Sequence, residues 1–258
     1  MSSQTVDYIL RSRKTILSIL AKRGYDTKPY EKFGYEEVEA MLKNTGRDDT
    51  GSKTIGRALR MDLKRPAEST DTGIVNCRVE YALSRLKAGG SSSGLESLLN
   101  MLLHGNADGL NEPKETKKSK AAAEAKEDMS LIDKVDPATT EVIIMLTADN
   151  YPLSDSFHTK ALTLWNTKKF RIGFFLVDNL VNNPAEHVLV PKHERVPLKE
   201  QEELLKQLYT QKKQQLPWIV FHVDIQARIL GLIPGDIVKI TRPSPSAGYY
   251  IEYRVCAP

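Results

Sequence analysis

The alternation of side chains near the C-terminus constrains the fold of this chain more than any other sequence feature. Successive residues of the last predicted strand form two sets: Tyr249, Ile251, Tyr253 and Val255 on one face, and Tyr250, Glu252 and Arg254 on the other. Because side chains two residues apart share a face of a strand, this pattern indicates a sheet with one covered face. Its polar face is then available to another molecule.

Further elements precede this strand at short intervals. A strand is expected over residues 237–242, followed by the loop PSPSAG. Asp224 suits the cap of a short helix that Gly231 ends, and Pro197 suits the first turn of an earlier helix. The apolar positions of that earlier helix are Leu198, Leu204, Leu205, Leu208 and Tyr209. This order of elements predicts a compact α+β unit over residues 186–258.

Residues 1–185 carry a longer pattern of helices and buried strands. The first helix ends near Gly24, and its apolar residues at helical spacing are Val6, Ile9, Leu10, Ile16, Leu17 and Leu20. Helices are also expected over 35–43 and 155–166, and strands over 74–83, 142–147 and 170–177. The turn-rich segment DNLVNNPAEH follows, so we place a domain boundary at residues 183–186.

Residues 87–128 interrupt that pattern and are predicted to form a flexible insertion. They contain GGSSSG and PKETKKSKAAAEAKED, whose polar composition buries too little apolar surface to become ordered. Between these stretches, five leucines fit a three-turn helix opened by Ser93 and closed by Gly105; they are Leu95, Leu98, Leu99, Leu102 and Leu103. Two interpretations stay open: the helix docks in a partner's groove, or it folds back on its own domain.

The balance of charge limits the classes of partner. With 37 basic and 33 acidic residues, the chain of 258 residues has a net charge of +4. An extended basic field of the kind that holds nucleic acid by phosphate neutralisation is therefore not expected. The first helix nevertheless has a basic outer face, formed by Arg11, Arg13, Lys14, Lys22 and Arg23. This face is either a DNA-facing patch or an ordinary solvated helix surface.

The motifs that carry catalytic chemistry are absent or incomplete. The segment GRDDTGSKT resembles a phosphate-binding loop, but its lysine is displaced by one place and two aspartates stand where anionic oxygens should bind. The Glu-x-Lys triplets that a metal-dependent nuclease needs all lie in the predicted insertion. His187 and His193 are not spaced for one helix face, and Cys77 and Cys256 form no CxxC pair. We therefore expect no catalytic residues, cofactor or metal.

The same reasoning restricts the compartment. The apolar runs at 142–146 and 174–177 are much shorter than the roughly 18 residues that a membrane helix needs, and the first residues do not resemble a secretory signal. No membrane contact is expected, and the cytosol or the nucleus is the predicted location.

A series of short segments gives the C-terminal unit a family resemblance. The segments are HVLVPKHERV (187–196), ELLKQL (203–208), QLP (215–217), LGL (230–232), GDIVKITRPSPSAG (235–248) and YRVC (253–256). In this order and spacing they resemble the assembly domain of the fifth common subunit of eukaryotic nuclear RNA polymerases, a family that also has an archaeal counterpart. AKRGY (21–25) and residues 142–178 resemble parts of the N-terminal jaw domain of the eukaryotic subunit. Trp218 and Ile225 differ from the residues usual in the family.

The resemblance implies an α+β protein of two domains and a noncatalytic role. Residues 1–185 would form an α/β jaw domain, nuclease-like in fold but noncatalytic, that makes weak contact with downstream duplex DNA through Arg11, Arg13, Lys14, Lys22 and Arg23. Residues 186–258 would form the assembly domain, which docks on the largest polymerase subunit in a nuclear hetero-oligomer. Side chains suited to that interface are Lys192, His193, Arg242, Tyr250, Glu252 and Arg254.

Two other functions remain possible from the residues alone. One is a freestanding transcription regulator or nucleic-acid-binding factor that uses the same module, and it is motivated by the insertion and its leucines. The other is a divergent metal-dependent nuclease, for which cleavage of DNA in the presence of Mg²⁺ or Mn²⁺ is the requirement.

Overall fold

The structure is a computed structural model that describes residues 3–44, 57–67, 71–83, 86, 94–104, 134–147 and 153–258. Within this part of the chain, helices combine with two four-stranded sheets, so the predicted α+β class is confirmed. The segment GRDDTGSKT, the flanking residues Ser93 and Gly105, and the rest of the predicted insertion lie outside the described residues.

The N-terminal sheet is built on three parallel strands. β1 (Met61–Lys64) pairs antiparallel with β2 (Asn76–Ala82), and β2, β3 (Thr140–Leu146) and β4 (Ile172–Leu176) follow in parallel. Every residue of β3 and β4 is buried, as is typical of a parallel sheet covered on both faces. The strands predicted over 142–147 and 170–177 are therefore confirmed.

Helices cover both faces of this sheet. α1 (Ser3–Lys22) and α2 (Tyr35–Asn44) lie on one face, where they pack with Ile143 and Met145 of β3. α3 (Gly94–His104) and α4 (Asp155–Lys168) lie on the other face, where they pack with Val142 and Ile144. Alternate residues of one buried strand thus contribute to two separate hydrophobic cores.

The leucines of α3 decide between the two interpretations of that helix. Leu95, Leu98, Leu99, Leu102 and Leu103 are all buried, and all five belong to the core formed with α4, β3 and β4. The helix therefore folds back on its own protein, and these five leucines are not available to a partner's groove. The helix predicted within the insertion is therefore confirmed over residues 94–104, and its buried leucines supply the apolar surface that orders it, whereas the flexibility of the insertion stays a prediction.

The C-terminal sheet has the strand order β5, β7, β8, β6. β5 (Lys192–Arg195) and β8 (Gly248–Ala257) each pair antiparallel with β7 (Ile237–Ser244), and β6 (Trp218–Val220) pairs parallel with β8. α5 (Leu198–Gln207) packs on one face through Leu204 and Leu205. α6 (Ile225–Leu230) begins after Asp224, which accepts a hydrogen bond from the backbone N–H of Gln226, and ends at Gly231, where φ is 73°.

The two sheets share one of these hydrophobic cores, the one beside α3 and α4. On the face of the C-terminal sheet opposite α5, Ile219, Val238, Ile240 and Cys256 join the core that contains β3, β4, α3 and α4. The segment at 183–186 forms a short 3₁₀ helix between the sheets. The domain boundary placed there stays a prediction, since the buried contacts continue across it.

Two expectations for the C-terminal residues are wrong in detail. Tyr209 is 97% exposed and has a φ of 53°, because it lies beyond the end of α5 and not on its inner face. In the final strand, Tyr249, Tyr250 and Ile251 are exposed on both faces of the sheet. The register explains this exposure: the first residue of β5, Lys192, lies opposite Thr241, so the tip of the β7–β8 hairpin extends past β5.

Candidate functional site

The exposed large apolar side chains are concentrated in the C-terminal part of the protein. Of the twelve such side chains among the described residues, eleven lie between residues 188 and 251; only Tyr35 lies outside that range. They fall in separate places, including the turn at Val188 and Leu189, the end of α5, the edge strand β6 and the tip of the β7–β8 hairpin. An interaction surface is marked by apolar side chains that adjoin one another, and the hairpin tip has three in succession.

The hairpin tip combines this exposure with charged residues. Tyr249, Tyr250 and Ile251, which we call the hairpin patch, are 72%, 57% and 45% exposed. On the face that carries Tyr250, the carboxylate of Glu252 lies 2.8 Å from Nε of Arg254 and 3.4 Å from Nη2 of Arg242. The sequence therefore grouped Arg242, Tyr250, Glu252 and Arg254 correctly, although their contact with a partner stays a prediction.

Lys192 and His193 lie across the sheet from this group. His193 pairs with Ile240, which pairs with Glu252, so His193 shares a face with the hairpin charges. Lys192 points to the opposite face and forms an ion pair of 2.7 Å with Glu194. Nδ1 of His193 lies 2.7 Å from the carbonyl oxygen of Pro191, which can only accept, so Nδ1 carries the proton.

The edge strand β6 provides a second exposed apolar place. Trp218 is 64% exposed, and Val220 and Val223 are also exposed, whereas Ile219 between them is buried in the core. Trp218 pairs with Val255, so it lies on the face of the sheet that α5 partly covers. Trp218 is one of the two residues that differ from the pattern of the family that the sequence resembles.

Two of the five basic residues predicted on the outer face of α1 are buried instead. Arg13 is 2% exposed, donates to the carbonyl oxygen of Leu59 at 2.8 Å, and lies over the rings of Tyr30 and Phe33. Arg23 is largely buried against Glu141. Their predicted place on the solvent face is wrong, because Arg13 finds carbonyl and aromatic partners on the inner side of α1, and Arg23, just after the helix, finds a carboxylate.

The other three basic residues of this set are exposed. Arg11 lies 3.9 Å from Asp7 and donates to the side-chain oxygen of Asn182 at 2.9 Å. Lys22 forms an ion pair of 2.6 Å with Glu186, and Lys14 is exposed near the middle of the helix. Their contact with DNA stays a prediction.

A buried carboxylate connects the two sheets. Glu141 of β3 is 1% exposed, and it accepts from Arg23 at 2.5 Å, from the Tyr25 hydroxyl at 2.7 Å and from Arg171 at 3.0 Å. Burial alone would raise the pKa of Glu141, but the charges of Arg23 and Arg171 lower it to about 2. Arg171 also donates to the carbonyl oxygens of Gly231 and Leu232, at the end of α6.

Gly231 makes this arrangement possible. Its positive φ is unfavourable for a side chain, and a Cβ atom at this position would collide with the guanidinium group of Arg23. The glycine that ends α6 therefore also admits the arginine that pairs with Glu141.

Two histidines form a further contact between the sheets. Nδ1 of His158, on α4, lies 2.7 Å from Nδ1 of His222, which follows β6. The backbone N–H of Phe174 in β4 donates to Nε2 of His222 at 3.0 Å, so the proton of the neutral His222 ring is on Nδ1 and is donated to His158. Burial, then the charges of Arg228 and His158, lower the pKa of His222 to about 2.

The described residues contain neither a metal-binding cluster nor a membrane-spanning helix. No group of three or more His, Cys, Asp or Glu side chains lies close enough to share a metal ion. No helix combines the length and the apolar character needed to cross a bilayer. Cys77 and Cys256 are both buried and form no disulfide.

The sequence interpretation missed Glu141, Arg171, His158 and His222 as contacts between the sheets. Part of the signal was available for the arginines of α1: Arg13 follows Ile9 by four residues and precedes Ile16 by three, which is the spacing of the inner face. Glu141 directly precedes the buried run 142–146, where a lone charge needs a partner. No local pattern identifies His222 as the partner of His158, because 64 residues separate them.

Comparison with known proteins gives a family match for the C-terminal residues. The family model described as RNA polymerase Rpb5, C-terminal domain, matches residues 182–256. A Dictyostelium discoideum relative, "DNA-directed RNA polymerases I, II, and III subunit rpabc1", is 45% identical over 89 residues, which are 34% of this chain and 44% of that protein.

Archaeal relatives are shorter and are covered more completely. "DNA-directed RNA polymerase subunit Rpo5" of Sulfurisphaera tokodaii is 46% identical over 72 residues, or 28% of this chain and 83% of the relative. The protein of the same name from Methanocaldococcus jannaschii is 49% identical over 71 residues, or 28% of this chain and 88% of the relative. The likeness therefore lies in the C-terminal sheet and its helices, and it spans under half of the Dictyostelium relative.

Proposed function

Since this chain belongs to the Rpb5 and Rpo5 family of RNA polymerase subunits, we propose that it is a noncatalytic structural subunit of a DNA-directed RNA polymerase. It acts as one polypeptide of a hetero-oligomer in the nucleus. The names of two eukaryotic relatives, which refer to RNA polymerases I, II and III, support this location. The C-terminal part docks on the largest polymerase subunit, and the N-terminal part lies toward downstream DNA.

The run of three adjacent exposed apolar side chains at the tip of the β7–β8 hairpin is the observation that carries this proposal. A protein that works alone normally keeps such side chains scattered, whereas an obligate subunit buries them against its partner. The hairpin patch has the composition of an interface centre, since two tyrosines and an isoleucine are flanked by Arg242 and Arg254. We therefore propose the hairpin patch as the centre of the docking surface.

Replacing the hairpin patch is expected to separate the chain from the polymerase. A tagged chain with Tyr249→Ser, Tyr250→Ser and Ile251→Ser should recover at least about tenfold less of the largest polymerase subunit than the unchanged chain. The physical reason is the loss of buried aromatic area at the interface, while exposed positions leave the fold intact. The measurement is quantitative co-purification from nuclear extract.

A matched control removes three exposed apolar side chains elsewhere in the C-terminal part. Leu198→Ser, Leu208→Ser and Tyr209→Ser lie at the two ends of α5, away from the hairpin, and should leave recovery unchanged. Recovery that is equal for both triple variants contradicts the assignment of the hairpin patch. An unchanged chain that is purified without polymerase subunits contradicts the proposed function itself.

The DNA contact is proposed for the exposed residues of α1. Arg11 and Lys14 lie on the outer face of the helix, whereas Arg13 and Arg23 are buried and cannot reach a duplex. Two exposed cations provide a weak phosphate contact that salt screens, in agreement with the absence of an extended basic field.

Reversing these two charges is expected to weaken elongation complexes most at low salt. The logarithm of complex stability falls as the logarithm of salt concentration rises. In the variant with Arg11→Glu and Lys14→Glu, this decline should be shallower by about 1 for each lost phosphate contact. The measurement is the dissociation of assembled elongation complexes over a salt series. Lys206→Glu with Lys212→Glu makes the same charge change at exposed positions of the C-terminal part and serves as the control. Parallel salt series for the two variants would remove the DNA contact from the proposal.

The buried leucines of α3 remove the reason for proposing a freestanding factor. That alternative depended on an apolar helix face available to a partner, and the five leucines instead complete the core beside α4. Stoichiometric co-sedimentation with the polymerase core is the outcome that distinguishes a subunit from a freestanding factor. For the noncatalytic role, the isolated chain is expected to leave DNA intact in the presence of Mg²⁺ or Mn²⁺.

A further inference from the structure

The last strand, β8, has a backbone edge that lacks a neighbouring strand over most of its length. On one side, β8 pairs with β7 from Gly248 to Val255. On the other side, β6 pairs only with residues 255–257, so within the described part of the chain no strand lies beside β8 between Gly248 and Arg254. We call this stretch the open edge. It begins at the hairpin patch and ends beside Trp218.

The register shows which backbone groups the open edge presents. The N–H of Val255 donates to the carbonyl oxygen of Pro217 at 2.9 Å, so the backbone of Val255 points toward β6 and away from β7. Ile251 and Tyr253 share this orientation, because hydrogen-bonded and non-hydrogen-bonded positions alternate along an antiparallel pair. Their N–H and carbonyl groups have no hydrogen-bond partner among the residues that the structure describes. They are therefore available to another strand.

The outer strands elsewhere in the protein are protected. On β1, the backbone N–H of Asp62 donates to the Tyr30 hydroxyl at 3.0 Å, and that hydroxyl donates to the Asp62 carbonyl oxygen at 3.2 Å. On β4, the N–H of Phe174 donates to His222, and its carbonyl oxygen accepts from Arg228 at 2.6 Å. β5 carries only charged or polar side chains. An edge without such protection is a template for pairing with another chain.

The side chains beside the open edge indicate what kind of segment fits it. Tyr249, Ile251 and Tyr253 point to one face of the sheet, and Trp218 lies on the same face at the start of β6. Tyr249, Ile251 and Trp218 are exposed, whereas Tyr253 is half-buried against the core beside α5. The opposite face carries the charged group of the hairpin. A segment that matches both faces alternates apolar and polar side chains, which is the pattern of an extended strand.

We propose that the open edge receives an extended segment of the polymerase subunit that covers the hairpin patch, and that this segment adds a strand beside β8. The proposal rests on the proposed function and deepens it. Backbone hydrogen bonds to Ile251 and Tyr253 hold the segment, and its apolar side chains cover those of Tyr249 and Trp218. Since Tyr249 and Ile251 belong to both the hairpin patch and the open edge, the subunit that covers the patch also reaches the edge.

Hydrogen exchange resolved to single amides tests this pairing. The measurement compares polymerase purified through the tagged chain with the isolated full chain. The amides of Ile251 and Tyr253 should exchange at least about a hundredfold more slowly in the polymerase, because the added strand accepts their hydrogen bonds. The amides of Tyr250 and Glu252 face β7 and are bonded in both samples, so their exchange should change by less than about threefold.

A proline substitution tests the same bond in a second way. Ile251→Pro removes the N–H that faces the added strand and leaves the bonds to β7 intact, since this residue does not donate to β7. Ile251→Ala is the matched control, because it shortens the side chain and keeps the N–H. The proline variant should recover about tenfold less of the largest polymerase subunit than the alanine variant.

Three results would overturn the strand pairing. The first is equal exchange of the Ile251 and Tyr253 amides in the polymerase and in the isolated chain, and the second is equal recovery by the two variants. The third is protection of these amides in the isolated chain as its concentration rises, because the open edge then pairs with a second copy. A chain that recovers no polymerase subunits contradicts the proposed function, whereas a chain that assembles with unprotected amides contradicts only the strand pairing.

Discussion

Glu141→Gln is expected to lower the free energy of unfolding by about 3–5 kcal/mol. The substitution keeps the volume of the side chain but leaves the guanidinium groups of Arg23 and Arg171 buried without their shared negative charge. It also weakens the hold of Arg171 on the carbonyl oxygens at the end of α6, so the contact between the two sheets should loosen. Urea unfolding of the full chain at pH 7 measures the effect.

Glu194→Gln is the matched control for this prediction. Glu194 is also a strand carboxylate paired with a basic residue, but its side chain is 45% exposed and its partner Lys192 is 70% exposed. Exposed ion pairs contribute little, so this variant should stay within about 0.5 kcal/mol of the unchanged chain. If Glu141→Gln costs no more than Glu194→Gln, the buried carboxylate does not hold the two sheets together.

The sequence predicts the elements of this fold better than their assembly. α1, β3, β4 and α6 follow from local signals: helical spacing, continuous apolar runs, and the cap and stop residues Asp224 and Gly231. Those signals depend on residues within a few positions of one another. They are therefore unaffected by where the element lies in the fold.

The contacts between the sheets depend on long-range geometry and leave a weaker signal. Arg23 and Glu141 are 118 residues apart, and Arg171 and Leu232 are 61 apart. A basic residue at the end of an amphipathic helix has the same local sequence whether it faces DNA or a buried carboxylate. Arg23 was predicted near DNA for this reason, and only the position of β3 beside α1 shows its partner.

Distance along the chain also separates the two parts of the candidate site. The hairpin group of Arg242, Tyr250, Glu252 and Arg254 lies on two adjacent strands joined by a short loop, so alternation alone places these residues together. The cluster around Glu141 instead combines Arg23, which follows α1, with β3 and Arg171, which lie far apart in the chain. Sequence periodicity cannot bring such residues together, because it carries no information about the packing of one sheet on the other.

Acidification provides a second large effect on stability, and it depends on His222. Between pH 7 and pH 5 the free energy of unfolding should fall by about 2 kcal/mol through this residue alone. An unfolded histidine binds a proton below about pH 6.5. Folded His222 stays neutral, because burial and the charges of Arg228 and His158 lower its pKa to about 2. The unfolded state therefore binds more protons over this range, and stability is lost as the pH falls.

The geometry explains why folded His222 resists protonation. Its Nε2 accepts the backbone N–H of Phe174, so a proton added there would face a donor and break the bond. His158 receives the Nδ1 proton of His222, and its own pKa is lowered by burial and then by Arg228, with Asp155 acting in the opposite direction. Acid should therefore weaken the contact between α4 and the residues after β6.

His222→Gln is expected to make stability less dependent on pH between 7 and 5. Glutamine can accept from the Phe174 N–H but does not titrate, so the contribution of about 2 kcal/mol should disappear even if the variant is less stable at pH 7. His187→Gln removes one exposed histidine and provides the matched comparison, with both variants followed by urea unfolding at several pH values. A slope that is the same for the two variants would show that the buried ring does not set the acid sensitivity of the fold.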